Sequence, residues 1–286
     1  MIDSRIYEKI LEIKREGGEA VLVTVVEKLS EGPARLGAKM LVLPDGERIG
    51  TVGGGALELS AVRKALEFMK DKKSGTLRYN LNAKTETEQG EVHVPMVCGG
   101  KVILFFEYLS SGPKLYVFGA GNVGREVAEL AAGCGFFVTV IDPSKTALSQ
   151  LVNVQKKLES SYIEAFEKLK PAKAGFYFIS TLSHKSDAVV LEKLLAAEWE
   201  PAFVGMLASA HKTREVLELV LQSLPAEKVD PDVFYSPVGL DIGGDTPQEI
   251  AVSAVAQMQA IRYGRPASPP KSVVRQVLDE LKGRKS

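Results

Sequence analysis

The sequence predicts an α/β protein with a mixed α+β domain at the N-terminus and a doubly wound parallel-sheet domain after it. The length of 286 residues suits two domains, since a domain typically has roughly 100–200 residues. The run Ser110-Ser111-Gly112-Pro113 has the composition of a linker. Beyond it, apolar runs alternate with helix-length segments, as they do in βαβ units. We therefore expect domains over 1–110 and 111–265, followed by a C-terminal tail over 266–286.

The N-terminal domain is predicted to begin with an amphipathic helix in MIDSRIYEKILEIKREGG. Short β-rich runs then predict strands, and Pro44-Asp45-Gly46 predicts a turn between two of them. From Ala56 to about Lys70, apolar residues fall near one face of a helix. The polar stretch 82–91 is interpreted as an exposed loop. The predicted strands are 20–27, 39–43, 48–52, 76–81 and 101–109.

The C-terminal domain is predicted to contain a parallel sheet that helices cover on both faces. Its last helix, 247–261, has a clear start: Thr246 is the N-cap, Pro247 takes the first helical position, and Glu249 completes a capping box. The predicted strands are KLYVF, FFVTVI, GFYFIS and PAFVGM. The other predicted helices run from about Asn122 to Ala132, near 161–170, from Asp187, and from about Ser209.

The charge balance and the small number of cysteines exclude several classes of protein. Thirty-six basic residues balance thirty-six acidic ones, which argues against a general nucleic-acid binder. No apolar run approaches the ~18 residues that a membrane span needs, and the first residues lack the apolar core of a signal peptide. Cys98 and Cys134 are too few for a disulfide framework, and Cys134, among small residues, is interpreted as structural. We therefore expect a cytoplasmic protein with free thiols and no membrane span.

The segment LYVFGAGNVG resembles a dinucleotide-binding turn. Gly119, Gly121 and Gly124 follow an apolar strand and open a helix that begins at Asn122. Asp142 ends the next strand, where a carboxylate accepts from ribose hydroxyls and repels a 2′-phosphate. These features predict a Rossmann-like domain that prefers NAD to NADP if a nucleotide binds. The alternative is the same fold with another ligand, or none, in the pocket.

Two histidines follow predicted strands, where the crevice of a doubly wound sheet forms. His184 lies in LSHKSD and His211 in SAHK, and each could face a ligand or be an ordinary surface residue. His184 is a candidate proton donor. Asp187 could equally be the N-cap of the following helix.

Two further glycine-rich segments are candidate binding loops. In GTVGGGALE, a strand runs through Gly53, Gly54 and Gly55 into a helix, so backbone N–H groups are presented to an anion. Glu58, in the first helical turn, either interacts with the helix dipole or hydrogen-bonds a ligand, and a pterin-like edge would suit it better than a phosphate. Asp241, in SPVGLDIGGD, is either a solvated carboxylate or part of a loop shaped around a ligand or the other domain.

Cys98 lies in PMVCGG, a stretch interpreted as a loop before a strand. Gly99 and Gly100 leave space and free N–H groups beside the sulfur, and positive charge from Lys101 or Arg35 would lower the thiol pKa. A dithiol cycle and a zinc site are disfavoured because the chain has no CxxC motif and few Cys and His residues. Cys98 is therefore a candidate nucleophile, sulfur carrier or ligand to a soft metal.

Taken together, four motifs resemble the XdhC/CoxI family, the xanthine dehydrogenase accessory factors. They are GTVGGGALE at 50–58, MVCGG at 96–100, FGAGNVG at 118–124 and SPVGLDIGGDTPQEIAVS at 236–253. They stand in the family's order, and the resemblance covers about residues 10–262. It implies an accessory factor that binds the molybdenum cofactor (molybdopterin), supports its sulfuration and delivers it to a molybdenum hydroxylase.

The resemblance also implies residue roles and partners. Cys98 becomes the thiol that handles sulfur or cofactor and a candidate molybdenum ligand, while the glycines of the other motifs contact the cofactor. The implied partners are a hydroxylase subunit of xanthine dehydrogenase type and a cysteine desulfurase, and we expect a homodimer. The protein would then be a chaperone without turnover of its own. One alternative is an NAD-dependent oxidoreductase that uses the Rossmann-like domain, and another is an interaction module whose cleft binds no ligand.

This chain departs from the family pattern at one position. Family members commonly have a GSxPR-type segment before GAKM, and here the stretch is SEGPARLGAKM. Ala34 takes the usual arginine position, and Arg35 follows one residue later. The resemblance therefore implies that a basic contact is lost or moved.

Overall fold

A computed structural model describes residues 3–29, 34–82, 90–96, 99–169, 174–197, 200–265 and 267. The chain divides into two compact units, Met1–Gly112 and Pro113–Ser286. No helix within the described ranges is both long enough and apolar enough to cross a membrane.

The N-terminal unit is built on a mixed sheet with the strand order β3-β2-β1-β6-β4-β5. Neighbouring strands are antiparallel, except that β5 pairs with β4 in parallel. The elements are α1 (Ser4–Glu16), β1 (Glu19–Lys28), β2 (Lys39–Val42), β3 (Arg48–Gly50), α2 (Gly55–Asp71), β4 (Gly75–Asn82), β5 (Glu91–Met96) and β6 (Lys101–Ser110).

The two helices of this unit pack on opposite faces of the sheet. Successive side chains of a strand point to opposite faces, so one strand contributes to the core under each helix. Val21 and Val23 of β1 join the cluster under α2. Ala20 and Leu22, between and beside them, join the cluster under α1. The sheet is therefore buried on both faces, with one core cluster between the sheet and each helix.

The C-terminal unit is a parallel sheet with the strand order β9-β8-β7-β10-β11-β12. Numbered within the unit, this is the 3-2-1-4-5-6 order of a Rossmann fold. The strands are β7 (Lys114–Phe118), β8 (Phe137–Asp142), β9 (Lys156–Glu159), β10 (Phe176–Ile179), β11 (Phe203–Met206) and β12 (Phe234–Tyr235). The helices are α3 (Asn122–Gly133), α4 (Lys145–Ser149), α5 (Tyr162–Lys168), α6 (His184–Ala196), α7 (Ala210–Val220) and α8 (Pro247–Arg262).

Helices cover both faces of the parallel sheet, as the sequence predicts. Leu115 and Val117 of β7 pack in the cluster formed with α3 and α8. Tyr116 and Phe118 pack in the opposite cluster, formed with α5, α6 and α7. The strand order reverses between β7 and β10, so this is the switch point where doubly wound folds place their ligands.

Two sequence-based interpretations of the N-terminal unit are corrected. Pro95 and Met96, interpreted as loop, end strand β5. Glu91, at the end of the predicted exposed loop, begins that strand, while 83–89 lie outside the described residues. The reason is that β5 is an edge strand, where a proline is tolerated.

Candidate functional site

The first candidate site is the glycine turn of the N-terminal unit. Strand β3 ends at Gly50, and Gly54 is the N-cap of α2 with no side-chain cap of its own. Gly53 has φ +137°, and a Cβ on it would lie 3.2 Å from the backbone N and Cα of Ala34. At Gly54, by contrast, an added Cβ would have no neighbour within 4 Å. The turn is therefore packed at Gly53 and open at Gly54.

Glu58 braces this turn from within. Its Oε1 accepts hydrogen bonds from the hydroxyl of Thr51, from the N–H of Val52 at 3.3 Å and from the N–H of Gly54 at 2.9 Å. Its Oε2 lies 3.4 Å from Nε of Arg48. The residue is only 7% exposed, so the carboxylate is directed into its own loop and its charge has a partner. Contact between Glu58 and a ligand stays a prediction.

The expectation that the N–H groups of this turn face an anion is corrected for Gly53 and Gly54. Gly53 donates to the hydroxyl of Thr51 at 3.3 Å, and Gly54 donates to Glu58, because the turn supplies its own acceptors.

The departure from the family pattern has a structural consequence. Ala34 is buried against Gly53 and belongs to the core cluster under α2. Its small side chain therefore fills the space beneath the turn, where a long cationic one would have no room. Arg35 is exposed instead, and it lines a cavity of about 680 Å³ together with Lys39, Thr51 and Gly54.

The thiol that the sequence singles out, Cys98, lies outside the described residues. Its sequence neighbours are placed. The N–H of Gly99 donates to the carbonyl of Met96 at 3.1 Å, and a Cβ on Gly55 would lie 3.5 Å from Cε of Met96. The end of β5 therefore lies beside the start of α2.

Asn82, which sequence reasoning missed, holds the glycine pair that follows the cysteine. Its Oδ1 accepts the N–H of Gly100 at 2.9 Å, and Asn80 supports it by accepting the Nδ2 hydrogen bond of Asn82 at 3.2 Å. The available signal was the polar–apolar alternation of YNLN in β4. The expectation that Gly99 and Gly100 have free N–H groups is wrong, because Met96 and Asn82 accept both of them. Lys101, proposed as a charge beside the thiol, is ion-paired with Glu91 at 2.9 Å.

The second candidate site is the turn after β7 in the C-terminal unit. A Cβ on Gly119, which has φ +109°, would lie 2.2 Å from the carbonyl oxygen of Ser180. A Cβ on Gly124 would lie 2.1 Å from the carbonyl oxygen of Gly119. Gly121 and Asn122 are exposed, and a Cβ on Gly121 would have open space. The loops after β7 and β10 thus pack tightly together and leave Gly121 accessible.

Asp142 also stabilises this turn. Its Oδ2 accepts the N–H of Ala120 at 2.8 Å, and its Oδ1 accepts the N–H of Ser144 at 2.7 Å. Burial, with a smaller contribution from the charge of Asp142, raises the pKa of the neighbouring Tyr162 hydroxyl. Because Asp142 is 7% exposed and both oxygens have donors, little of the carboxylate is available to ribose hydroxyls.

The segment after β10 differs from the sequence-based interpretation. Helix α6 begins at His184, with Ser183 as its N-cap, so Asp187 does not cap it. The segment before the helix contains several hydroxyl residues, and Ser183 caps the helix four residues before Asp187. Asp187 is fully buried. It accepts from the hydroxyl of Thr181 at 2.6 Å and pairs with Nζ of Lys212 at 2.5 Å.

The two histidines have different surroundings. His184 is half-buried in the first turn of α6. His211 lies in the first turn of α7 with its side chain 83% exposed, 3.5 Å from Glu215. The surroundings of His211 match a surface residue, while the catalytic role of His184 stays a prediction.

Asp241 lies at the exposed tip of a braced loop before α8. The hydroxyl of Ser253 donates to the carbonyl of Leu240 at 2.6 Å, and the N–H of Gly239 donates to Oε1 of Gln257 at 2.7 Å. The predicted capping box of Thr246 and Glu249 is confirmed. The loop is therefore held by the helix, and its acidic tip faces solvent.

Across the described ranges, no cluster of three or more His, Cys, Asp or Glu side chains could hold a metal ion. Cys134 is a partly buried free thiol that packs against the core of the C-terminal unit, in keeping with its structural interpretation.

Comparisons with known proteins match both units. Residues 13–80 match the XdhC and CoxI family, and residues 115–258 match the XdhC Rossmann domain. The chain is 29% identical over 264 residues to the uncharacterized protein YqeB of Escherichia coli (strain K12), covering 91% of this chain and 47% of that protein. It is 31% identical over 162 residues to a probable xanthine dehydrogenase subunit of Bacillus subtilis (strain 168), covering 54% of this chain and 44% of that protein.

A third relative is the molybdenum cofactor insertion chaperone PaoD of Escherichia coli (strain K12), 36% identical over 106 residues and covering 37% of this chain and 31% of that protein. A crystal structure of a xanthine dehydrogenase from Bacillus halodurans superposes with a TM-score of 0.49 at 21% identity, covering 94% of this chain and 98% of that one. The chain spans less than half the length of the curated relatives it matches. The family match over 115–258 covers half of the chain, and the chain therefore belongs to the XdhC and CoxI family.

Proposed function

We propose that the protein is an accessory factor that binds the molybdenum cofactor and serves a molybdenum hydroxylase of xanthine dehydrogenase type. The observation that carries the proposal is the glycine turn at Gly53–Gly55, which is packed at Gly53 and open at Gly54, within the segment that matches the XdhC and CoxI family. Two relatives support the same role by name: one is a molybdenum cofactor insertion chaperone and the other is a probable xanthine dehydrogenase subunit.

The N-terminal unit fits an anionic, pterin-sized cargo. Open space at Gly54 lets a ligand approach the backbone, and the adjoining cavity of about 680 Å³ lies within the range of small-molecule sites. The bound cofactor would supply the molybdenum centre that the hydroxylase uses. The residues of this chain would orient the pterin and exclude water until transfer.

Cys98 is proposed as the residue that handles sulfur or contacts the molybdenum. Support comes from the placement of Met96 beside Gly55 and from the fixed positions of Gly99 and Gly100. Sulfuration, delivery to the apoenzyme, a cysteine desulfurase partner, a homodimer and a cytoplasmic location belong to the same proposal.

The test is retention of pterin. The protein is purified from a host that makes the molybdenum cofactor, and the oxidised pterin is measured by fluorescence. We expect pterin in the wild type and in Cys134→Ala, a matched control because that thiol packs against the core of the C-terminal unit. Cys98→Ala should retain less. Absence of pterin in the wild type would contradict the proposal.

A dinucleotide-dependent oxidoreductase is the second candidate. The 3-2-1-4-5-6 strand order and the accessible Gly121 favour it, whereas the engagement of Asp142 argues against it. Titration with NADH, followed by its fluorescence, separates the two candidates. Micromolar binding that Gly121→Ala abolishes would favour the oxidoreductase, and no binding up to millimolar NADH would remove it.

A further inference from the structure

The cavity beside the glycine turn has an uneven distribution of charge. Of the lining residues that the structure describes, three are ionisable: Asp3, Arg35 and Lys39. Asp3 is already neutralised, because its carboxylate is ion-paired with the guanidinium of Arg5 at 2.5 Å and also caps α1. The acidic residue of the lining therefore contributes little net charge.

The two cations of the cavity have no such compensation. Among the described residues, no carboxylate forms an ion pair with Arg35 or Lys39. Nζ of Lys39 donates to the hydroxyl of Thr24 at 3.0 Å, which uses one of its three donors. The chain as a whole has equal numbers of basic and acidic residues, so two uncompensated cations at one cavity are a local excess.

Glu58, which could have repelled an anion here, does not oppose one. Its carboxylate lies inside the turn, accepting from Gly54 at 2.9 Å, and Arg48 offsets its charge at 3.4 Å. One of the two sequence-based interpretations of Glu58 placed its carboxylate against a ligand, and that interpretation disfavoured a phosphate. The structure removes that objection because the acid is directed away from the cavity.

We propose that this cavity binds the phosphate group of an organic phosphate monoester through Arg35 and Lys39. Arginine and lysine are the usual phosphate ligands, and charge-assisted hydrogen bonds of this kind are among the stronger ones. The inference deepens the proposed function because it assigns a binding position to the phosphate of the proposed cofactor. It rests on that function only for the identity of the ligand.

The size and lining of the cavity favour an ester over free phosphate. A volume of about 680 Å³ lies within the ~300–1,000 Å³ of sites that enclose whole small molecules. Leu36 and Ala38 contribute apolar surface beside the cations. A heterocycle attached to the phosphate would cover that apolar surface, whereas inorganic phosphate would leave it exposed to solvent.

The experiment titrates the full chain with inorganic phosphate and with guanosine monophosphate, a bicyclic phosphate monoester, and follows the change in Tm and the heat of binding. We expect guanosine monophosphate to bind more tightly than phosphate. Arg35→Ala and Lys39→Met should each weaken binding about tenfold, as expected for one charge-assisted hydrogen bond at a partly exposed site. Arg63→Ala, which removes an exposed charge from α2, is the matched control and should bind as the wild type does.

Each outcome bears on the proposal. Tighter binding of guanosine monophosphate would support the ester site, and equal binding of the two probes would refute it. No stabilisation of the wild type, or equal loss in Arg63→Ala, would overturn it. If Lys39→Met fails to fold, Lys39→Arg should retain binding. If Arg35→Ala retains as much pterin as the wild type, this inference is refuted and the proposed function stands. If the wild type binds the phosphate ester but retains no pterin, the proposed function is refuted and this inference stands.

Discussion

Gly119 is where the C-terminal unit should respond most strongly to the addition of one methyl group. A Cβ at this position would lie 2.2 Å from the carbonyl oxygen of Ser180 and 2.7 Å from its carbonyl carbon. Both are backbone atoms, so no side-chain rotation relieves the overlap. The φ of +109° is itself disfavoured for a residue with a Cβ. Gly119→Ala must therefore displace one of the two loops at the switch point.

The expected cost has two parts. Overpacking in a tight site costs about 1–3 kcal/mol, and a disfavoured backbone conformation costs about 1–3 kcal/mol. Since the parts overlap, we expect a loss of about 3 kcal/mol in the free energy of unfolding. For a unit of this size, each kcal/mol lowers Tm by about 2–4 °C, so Tm should fall by about 6–12 °C.

Gly121→Ala is the matched control within the same turn. This residue has φ −68° and ψ −177°, and a Cβ there would have no neighbour within 4 Å. Its effect should stay within about 0.5 kcal/mol. Both variants are compared with the wild type by thermal and urea unfolding of the full chain. Equal Tm values for Gly119→Ala and Gly121→Ala would refute the reasoning.

Three further predictions concern buried and capping charges. Glu58→Ala should cost about 2–4 kcal/mol because it leaves several donors unpaired, and faster hydrogen exchange at 50–58 than at 101–109 would localise the loss. Lys212→Met should cost about 3–5 kcal/mol because the buried carboxylate of Asp187 keeps its hydrogen bonds from Thr181 but loses its charge partner. The double change with Asp187→Asn should recover part of this loss, measured by urea unfolding. The hydrogen bond from the Thr246 N–H lowers the pKa of Glu249 below its ordinary 4.5. That contribution is present above pH 4.5 and is lost as pH falls through the lowered value, so Glu249→Gln should lose less stability over the same acid range.

Each of these predictions has an opposing result. Unchanged exchange at 50–58 in Glu58→Ala would mean that the turn does not depend on its internal carboxylate. A double variant at 187 and 212 as unstable as Lys212→Met would mean that the uncompensated charge is not the cause. Parallel acid unfolding curves for the wild type and Glu249→Gln would show that the capping carboxylate does not contribute to the acid loss.

Much of the candidate site could be predicted because its signals are local. The glycine turns before α2 and α3 are marked by a strand, a run of small residues and a helix, which stand next to one another in the chain. The capping box of Thr246 and Glu249 is likewise contained in four residues. Cys98 was identified in the same way, from its neighbours Gly99 and Gly100, although its placement lies outside the described residues.

The direction of each carboxylate could not be predicted. Sequence reasoning left Glu58 open between the helix dipole and a ligand, and it gave Asp142 a ribose contact if a nucleotide binds. The structure shows that both carboxylates accept from backbone donors of the turns that they stabilise, while the ligand contacts stay predictions. Asp187 was weighed as a helix cap, yet its partner Lys212 comes from the next helix along the sheet. Such pairings depend on loops that meet only after the sheet has formed.

The sequence by itself determined the α/β class, the alternation of strands and helices, and the family. The class and the alternation follow from periodicity and turn chemistry within short segments, where neighbouring residues decide the conformation. The family follows from the resemblance of four motifs in their order along the chain. Only the tertiary structure decided that β5 pairs in parallel at a sheet edge, that Ala34 fills the space beneath Gly53, and that Arg35 and Lys39 line one cavity beside the glycine turn. These features depend on atoms brought together from distant parts of the chain, and burial and charge pairing are set only by that packing.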